Sequence, residues 1–143
     1  MILVDANIWC YFFDARLPEH EHVKGAMREV LMREKVAVNT VIVMEAVHYL
    51  TRNLSEAEAS VKTEAFVNLG NMRVLDFDRA LMGVAVEYLT TYARSDGLGG
   101  RDSTVIASLS KFGIKRLMTH DRSLGAFAEK LGFESIDPIP KAK

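Results

Sequence analysis

The sequence contains one cysteine, Cys10, so no internal disulfide can staple the fold and a reducing setting, the cytoplasm, is expected. It has no long apolar run. The longest uncharged stretch goes from Val36 to Met44, far short of the roughly 20 residues a bilayer-spanning helix needs, and no membrane association is expected. The N-terminus is apolar, but it lacks a basic opening and carries Asp5 inside its first apolar run, so it does not read as a signal peptide. Repeats, low-complexity tracts and Pro/Gly-rich linkers are missing too, and residues 1–143 read as a single domain. Nor is there an excess of either charge. With 18 Lys+Arg against 19 Asp+Glu the net charge is −1, which excludes a chain that grips nucleic acid by being basic all over.

What is present is an ordinary globular composition, 49% hydrophobic and 26% charged, which argues against disorder. Short apolar runs alternate with longer helical periods. Strands are predicted at Ile2–Val4, Val36–Val38, Met72–Phe77 and Lys115–Thr119, with a last short one at Phe133–Ile136. Between them, helical spacing covers Glu19–Glu34, where Val23, Met27, Val30 and Leu31 share a face, and Thr40–Asn53. Ser55 and Glu58 form a capping box that opens a helix to about Leu69, stopped by Gly70-Asn71. Asp78 can cap a further helix with Leu81, Val84, Ala85, Tyr88 and Leu89 on one side. The cluster Gly97–Gly100 reads as a loop allowing a tight approach, after which Asp102 precedes a helix over Ser103–Phe112, closed by Gly113. Ser123–Leu131 is a terminal helix. This alternation predicts an α/β fold with a mainly parallel sheet, in which ligands bind beyond the carboxyl ends of the strands.

Four acids stand where acids are unexpected. Asp5 follows Ile2-Leu3-Val4 directly and Asp121 comes just after Leu117-Met118-Thr119, so both leave a strand. Asp102 stands between the glycine loop and an apolar helix, and Glu45 lies within Val41–Val47, flanked by apolar residues. For the three aspartates helix capping is the plain alternative. Glu45 is too far into its helix to cap it, and a pair with His48 is its plain alternative. Taken jointly, the parallel sheet brings Asp5, Asp102 and Asp121 to one edge, where their repulsion calls for a cation. Carboxylates without His or Cys clusters point to Mg²⁺, or Mn²⁺, and to chemistry on phosphate esters. No Ser-His-Asp, Cys-His or HExxH arrangement and no phosphate-binding G-x-x-x-x-G-K-[ST] loop competes for that role.

In order along the chain, Leu3-Val4-Asp5-Ala6-Asn7, Thr40 with Glu45, Gly100-Arg101-Asp102-Ser103 and Thr119-His120-Asp121 resemble the successive motifs of PIN-domain ribonucleases. The chain length is similar to that of the single-domain VapC-type toxins of toxin–antitoxin pairs. The resemblance implies a three-layer α/β/α sandwich and a Mg²⁺-dependent endoribonuclease cutting single-stranded RNA. By matching position it makes Asp5, Glu45, Asp102 and Asp121 the catalytic, metal-holding quartet and Asn7 and Thr119 their polar assistants. It also implies a homodimer and a cognate antitoxin. Two departures stand out: Ser103 where many relatives have Ala, and Leu124 where an aromatic is common.

RNA grip would come from local charge, because Arg94, Arg101, Lys111, Lys115, Arg116 and Arg122 lie in one stretch. Arg101 and Arg122 adjoin the acids and are the best candidates to assist the substrate; Arg122 could instead pair with Asp121. Trp9, Tyr11, Phe12 and Phe13 read as packing residues, and His20 and His22 as surface residues. Two further readings stay open: a metal-dependent phosphatase or phospho-acceptor domain, against which Asp5-Ala6-Asn7 lacks paired acids, and a catalytically degenerate binding module on the same fold.

Overall fold

A computed structural model describes residues 1–141. Five parallel strands, β1 (Ile2–Val4), β2 (Val36–Asn39), β3 (Met72–Leu75), β4 (Arg116–Met118) and β5 (Glu134–Ile136), lie in the order β3-β2-β1-β4-β5. Helices α1 (Ala6–Phe13) and α2 (His20–Arg33) join β1 to β2, and α3 (Thr40–Asn53) and α4 (Glu56–Val67) join β2 to β3. Helices α5 (Arg79–Asp96) and α6 (Gly100–Phe112) lead to β4, and α7 (Arg122–Lys130) to β5. The chain moves outward from β1 through β2 to β3, then crosses back to β4 on β1's other side. Right-handed crossovers in opposite directions place the two helix groups on opposite faces of the sheet, an α/β/α arrangement. The crevice between the carboxyl ends of β1 and β4 is where strand order reverses, the usual place for a ligand.

The inner strands are mostly apolar because they are covered on both faces, with Asn39 and Arg116 at strand ends; Ile2, Leu3, Val4, Val36, Ala37 and Val38 are fully buried. The edge strand β3 leaves Arg73 and Val74 exposed. Several predicted starts are carried by side chains. Asn39 Oδ1 accepts from the Ile42 amide at 2.7 Å, Asp78 Oδ1 from Leu81 at 2.8 Å, and Ser55 Oγ from Glu58 at 3.2 Å. Among the described residues, no helix is long and apolar enough to cross a membrane.

Beyond shifts of one or two residues at other element ends, such as β3 stopping at Leu75, two readings are corrected. The segment after Asp5 is a helix, α1, which the sequence reading did not assign; it buries Ala6, Ile8 and Trp9. Trp9 stacks among Phe12, Phe13 and Phe66 and donates its indole N–H to the Val4 carbonyl at 3.2 Å. Helix α6 starts at Gly100, not Ser103, because extended Gly99 is its N-cap and the Ser103 amide donates to the Gly99 carbonyl at 2.9 Å. Asp102 therefore stands in the first turn of the helix and is not its cap, a position where a carboxylate also meets the positive end of the helix dipole. A Cβ on Gly99 or Gly100 would meet nothing within 4 Å, so the loop is not a close approach.

Candidate active site

Each acid reaches the crevice by a different local route. Asp5 follows the last residue of β1, and its amide donates to the Met118 carbonyl of β4 at 3.0 Å, which extends the sheet by one rung. Its side chain is fully buried. Oδ1 accepts from the Ala6 amide at 2.7 Å, and Oδ2 accepts from the Thr119 hydroxyl, also at 2.7 Å. Thr119 Oγ1 in turn accepts the Asp121 amide at 3.1 Å. One hydroxyl thus ties the first strand's acid to the fourth strand's exit. Asp121 is the N-cap of α7, its Oδ1 accepting from the Leu124 amide at 3.1 Å; the capping role open to it in the sequence is occupied. The capping use of Asp121 stands in place of an ion pair with Arg122, which is exposed at the start of α7.

Glu45 projects from α3 and is only half-buried; neighbouring Met44 and His48 are exposed. It pairs with Arg101, not with His48. Arg101 Nε donates to both Glu45 oxygens, at 2.8 and 3.0 Å. Arg101 Nη1 donates to Asp102 Oδ1 at 2.9 Å, and Nη2 donates to Asp5 Oδ1. The guanidinium therefore joins acids from β1's end, α3 and α6. The sequence reading offers Arg101 to the substrate; in the structure its fork of donors is engaged by three carboxylates at the cleft. Burial disfavours the guanidinium's charge, but Asp5 foremost, with Glu45 and Asp102, raises its pKa above the ordinary arginine value. Burial also raises the Asp102 carboxyl, opposed by Arg101 and reinforced by Asp121 and Asp5.

These groups line an open cleft of about 410 Å³, shared by Asn7, Cys10, Glu45, Tyr49, Arg101, Asp102 and Asp121. Asn7 Oδ1 accepts the His120 amide at 3.4 Å, so it spans from α1 to the turn after β4. Neither Cys10 nor Tyr49 was placed at the site from sequence. The available signal was spacing: Cys10 lies one helical turn beyond Asn7, and Tyr49 one turn beyond Glu45. Burial, then Glu45, Asp5 and Asp14, push the Cys10 thiol up to about 12, which favours its neutral form. Asn39 was also missed. Its amide reaches the Thr104 carbonyl at 3.3 Å and Ser108 Oγ at 3.1 Å, fixing α6 to the end of β2.

An all-carboxylate donor set without a thiolate is the chemistry of Mg²⁺ or Mn²⁺. In this structure, however, the guanidinium bridges three of these carboxylates, Asp5, Glu45 and Asp102. Among the described residues, no three Asp, Glu, His or Cys side chains are grouped as a ready ligand shell.

The family described as PIN domain matches residues 2–130. The fold is similar to that of Mycobacterium tuberculosis VapC20, described as a sarcin-ricin loop cleaving toxin, with a TM-score of 0.75 and 20% identity over 93% of this chain and 96% of that one. It is similar to FitAcB from Neisseria gonorrhoeae (TM-score 0.71, 20% identity, 96% and 98% covered). It also resembles Rickettsia felis VapBC2 bound to a fragment of promoter DNA (TM-score 0.71, 14% identity, 96% and 98% covered). No curated protein matches the chain.

Proposed function

Because the chain belongs to the PIN-domain family, we propose that it is a metal-dependent endoribonuclease that hydrolyses phosphodiester bonds of single-stranded RNA, the toxin of a toxin–antitoxin pair. The observation that carries this reading is the convergence of Glu45, Asp102 and Asp121 on one open cleft, with buried Asp5 joined to it through Arg101. Four carboxylates gathered at a strand-order reversal are costly unless a cation answers them.

Asp5, Glu45, Asp102 and Asp121 would hold a Mg²⁺ or Mn²⁺ ion, which supplies charge neutralisation and Lewis acidity for attack of water on the phosphodiester. Asp5 is oriented by the Ala6 amide and the Thr119 hydroxyl, so its carboxylate does not need to reorganise. Asn7 and Thr119 hold the two strand exits at a fixed separation. Arg122, exposed beside Asp121, contacts a flanking phosphate. The cleavage leaves a 5′-phosphate. The openness of the cleft suits one flexible strand, while a net charge of −1 gives no general hold on duplex nucleic acid. Likeness to VapC20, FitAcB and VapBC2 supports the toxin reading and a cognate antitoxin, and a homodimer is proposed from the family resemblance alone.

The test is cleavage of single-stranded RNA by the purified chain in Mg²⁺ or Mn²⁺. Asp5→Asn and Asp102→Asn, each folded by circular dichroism, are expected to lose about 100-fold or more in rate. Cleavage that survives excess chelator would overturn the reading. The binding-module reading draws on Arg101, which already neutralises part of the cluster; it becomes the better one if RNA binds but no divalent ion restores cleavage.

A further inference from the structure

Arg101 does more than line the cleft. Its guanidinium donates to Asp5, Glu45 and Asp102, three of the four acids assigned to the cation, and these acids come from three separate elements. We propose that Arg101 is the internal counter-ion of this cluster and sets its affinity for a divalent cation, because guanidinium and metal compete for the same carboxylate oxygens. The inference rests on the metal-dependent reading above.

Three features support competition over a purely structural role. First, two of the four carboxylates have anchors independent of Arg101. Asp5 is held by the Ala6 amide and the Thr119 hydroxyl, and Asp121 by the Leu124 amide, so both keep their places if the guanidinium leaves. Second, the Arg101 side chain is 30% exposed and lines the open cleft, so rotation about its own flexible stem can carry the charge towards solvent without moving backbone. Third, the charge balance is incomplete. One guanidinium faces three carboxylates, with Asp121 on the same cleft, so a doubly charged ion answers the cluster better than Arg101 does. Metal binding is then favourable but must give up the arginine's bonds. The side chain acts as a positioning residue and a brake on loading, not as a ligand.

The experiment measures Mn²⁺ binding to the metal-free chain by isothermal titration calorimetry, for the unaltered protein, Arg101→Met and Arg101→Lys. Methionine keeps the apolar stem and removes the charge; lysine keeps a charge without the fork. Arg101→Met is expected to bind Mn²⁺ at least tenfold more tightly, with Arg101→Lys in between. Its melting temperature should be lower without metal and rise further on Mn²⁺ addition. Equal or weaker affinity in Arg101→Met overturns the proposal, since a structural role loosens the site and weakens binding. If the Met variant does not fold, the unaltered protein still decides: the ¹⁵Nε–H resonance of Arg101 is expected to move as Mg²⁺ saturates the site. An unmoved resonance overturns the proposal. Mn²⁺ binding with the same affinity in all three proteins sinks this inference alone, whereas no Mn²⁺ binding in any of them sinks the metal-dependent reading with it.

Discussion

Thr119 shows how much of the site depends on a residue that carries no charge. Its hydroxyl donates to Asp5 Oδ2 and accepts the Asp121 amide, and only 2% of the residue is exposed. Thr119→Val keeps the shape and deletes both bonds, leaving a buried carboxylate oxygen and an amide unpaired. That change is expected to cost about 1–3 kcal/mol of stability and to lower cleavage through a misplaced Asp5, read by urea unfolding beside an RNA cleavage assay. Unchanged stability would show that water or a shifted Asp5 compensates. At this scale the acids were legible because a charge at a strand exit or among apolar helix residues is conspicuous. The direction of Arg101 was not. It depends on three carboxylates whose segments meet only after the sheet has formed, and a neighbour in sequence, Asp102, supplies just one of them.

Between residues and the whole chain, the elements position these groups, and α6 illustrates how. It must begin abruptly after α5 so that Arg101 and Asp102 fall in its first turn. Gly97 makes the break: it closes α5 with φ 69° and ψ 23°, its amide donating to the Ala93 carbonyl at 3.0 Å. Gly99 and Gly100 have ordinary negative φ and open space around them. Gly97→Ala is therefore expected to cost about 1–2 kcal/mol from left-handed backbone strain, while Gly100→Ala is neutral or slightly stabilising. Thermal unfolding of the two variants separates the effects; equal shifts would mean that the glycine cluster acts as one flexible unit. The helices with a polar face and a capping residue were legible, α3 to the residue. Helix α1 was not, because Ala6–Phe13 is short and apolar nearly all round, with Asn7 as its single polar side chain apart from the Cys10 thiol and Tyr11 hydroxyl. Its helicity follows from being enclosed by α2, α3 and the aromatic cluster around Phe66.

For the molecule as a whole, alternation in the sequence implied a parallel sheet, but strand order rests on pairings between distant segments that no local pattern encodes. Carboxylates at three seams join those segments. Asp14, fully buried between α1 and α2, accepts from the Arg16 amide and guanidinium and from the Tyr49 hydroxyl at 2.8 Å. Arg16 also reaches the Asn53 carbonyl at 2.7 Å, which pins the end of α3, the helix that carries Glu45. Glu34 takes the N-terminal ammonium at 3.0 Å and Arg116 of β4 at 2.6 Å, and Asp96 takes Lys130 at 2.5 Å to join α5 to α7. Hydrogen bonds from Arg16, Arg116 and Lys130 respectively hold all three carboxyls below the ordinary carboxylate range. A folded pKa below the unfolded one means stability that is present above about pH 4 and lost as pH falls through the folded values. The urea midpoint is thus expected to stay level from pH 7 to about 5 and to fall steeply below 4. Asp14 should dominate, since it is the buried member with several charge-assisted bonds, whereas the Asp96 pair lies at the surface and adds little. Asp14→Asn should lower the midpoint at pH 7 and flatten its acid decline, while Asp96→Asn leaves both nearly unchanged. Parallel acid profiles for the unaltered protein and Asp14→Asn would move the origin of acid sensitivity away from this seam.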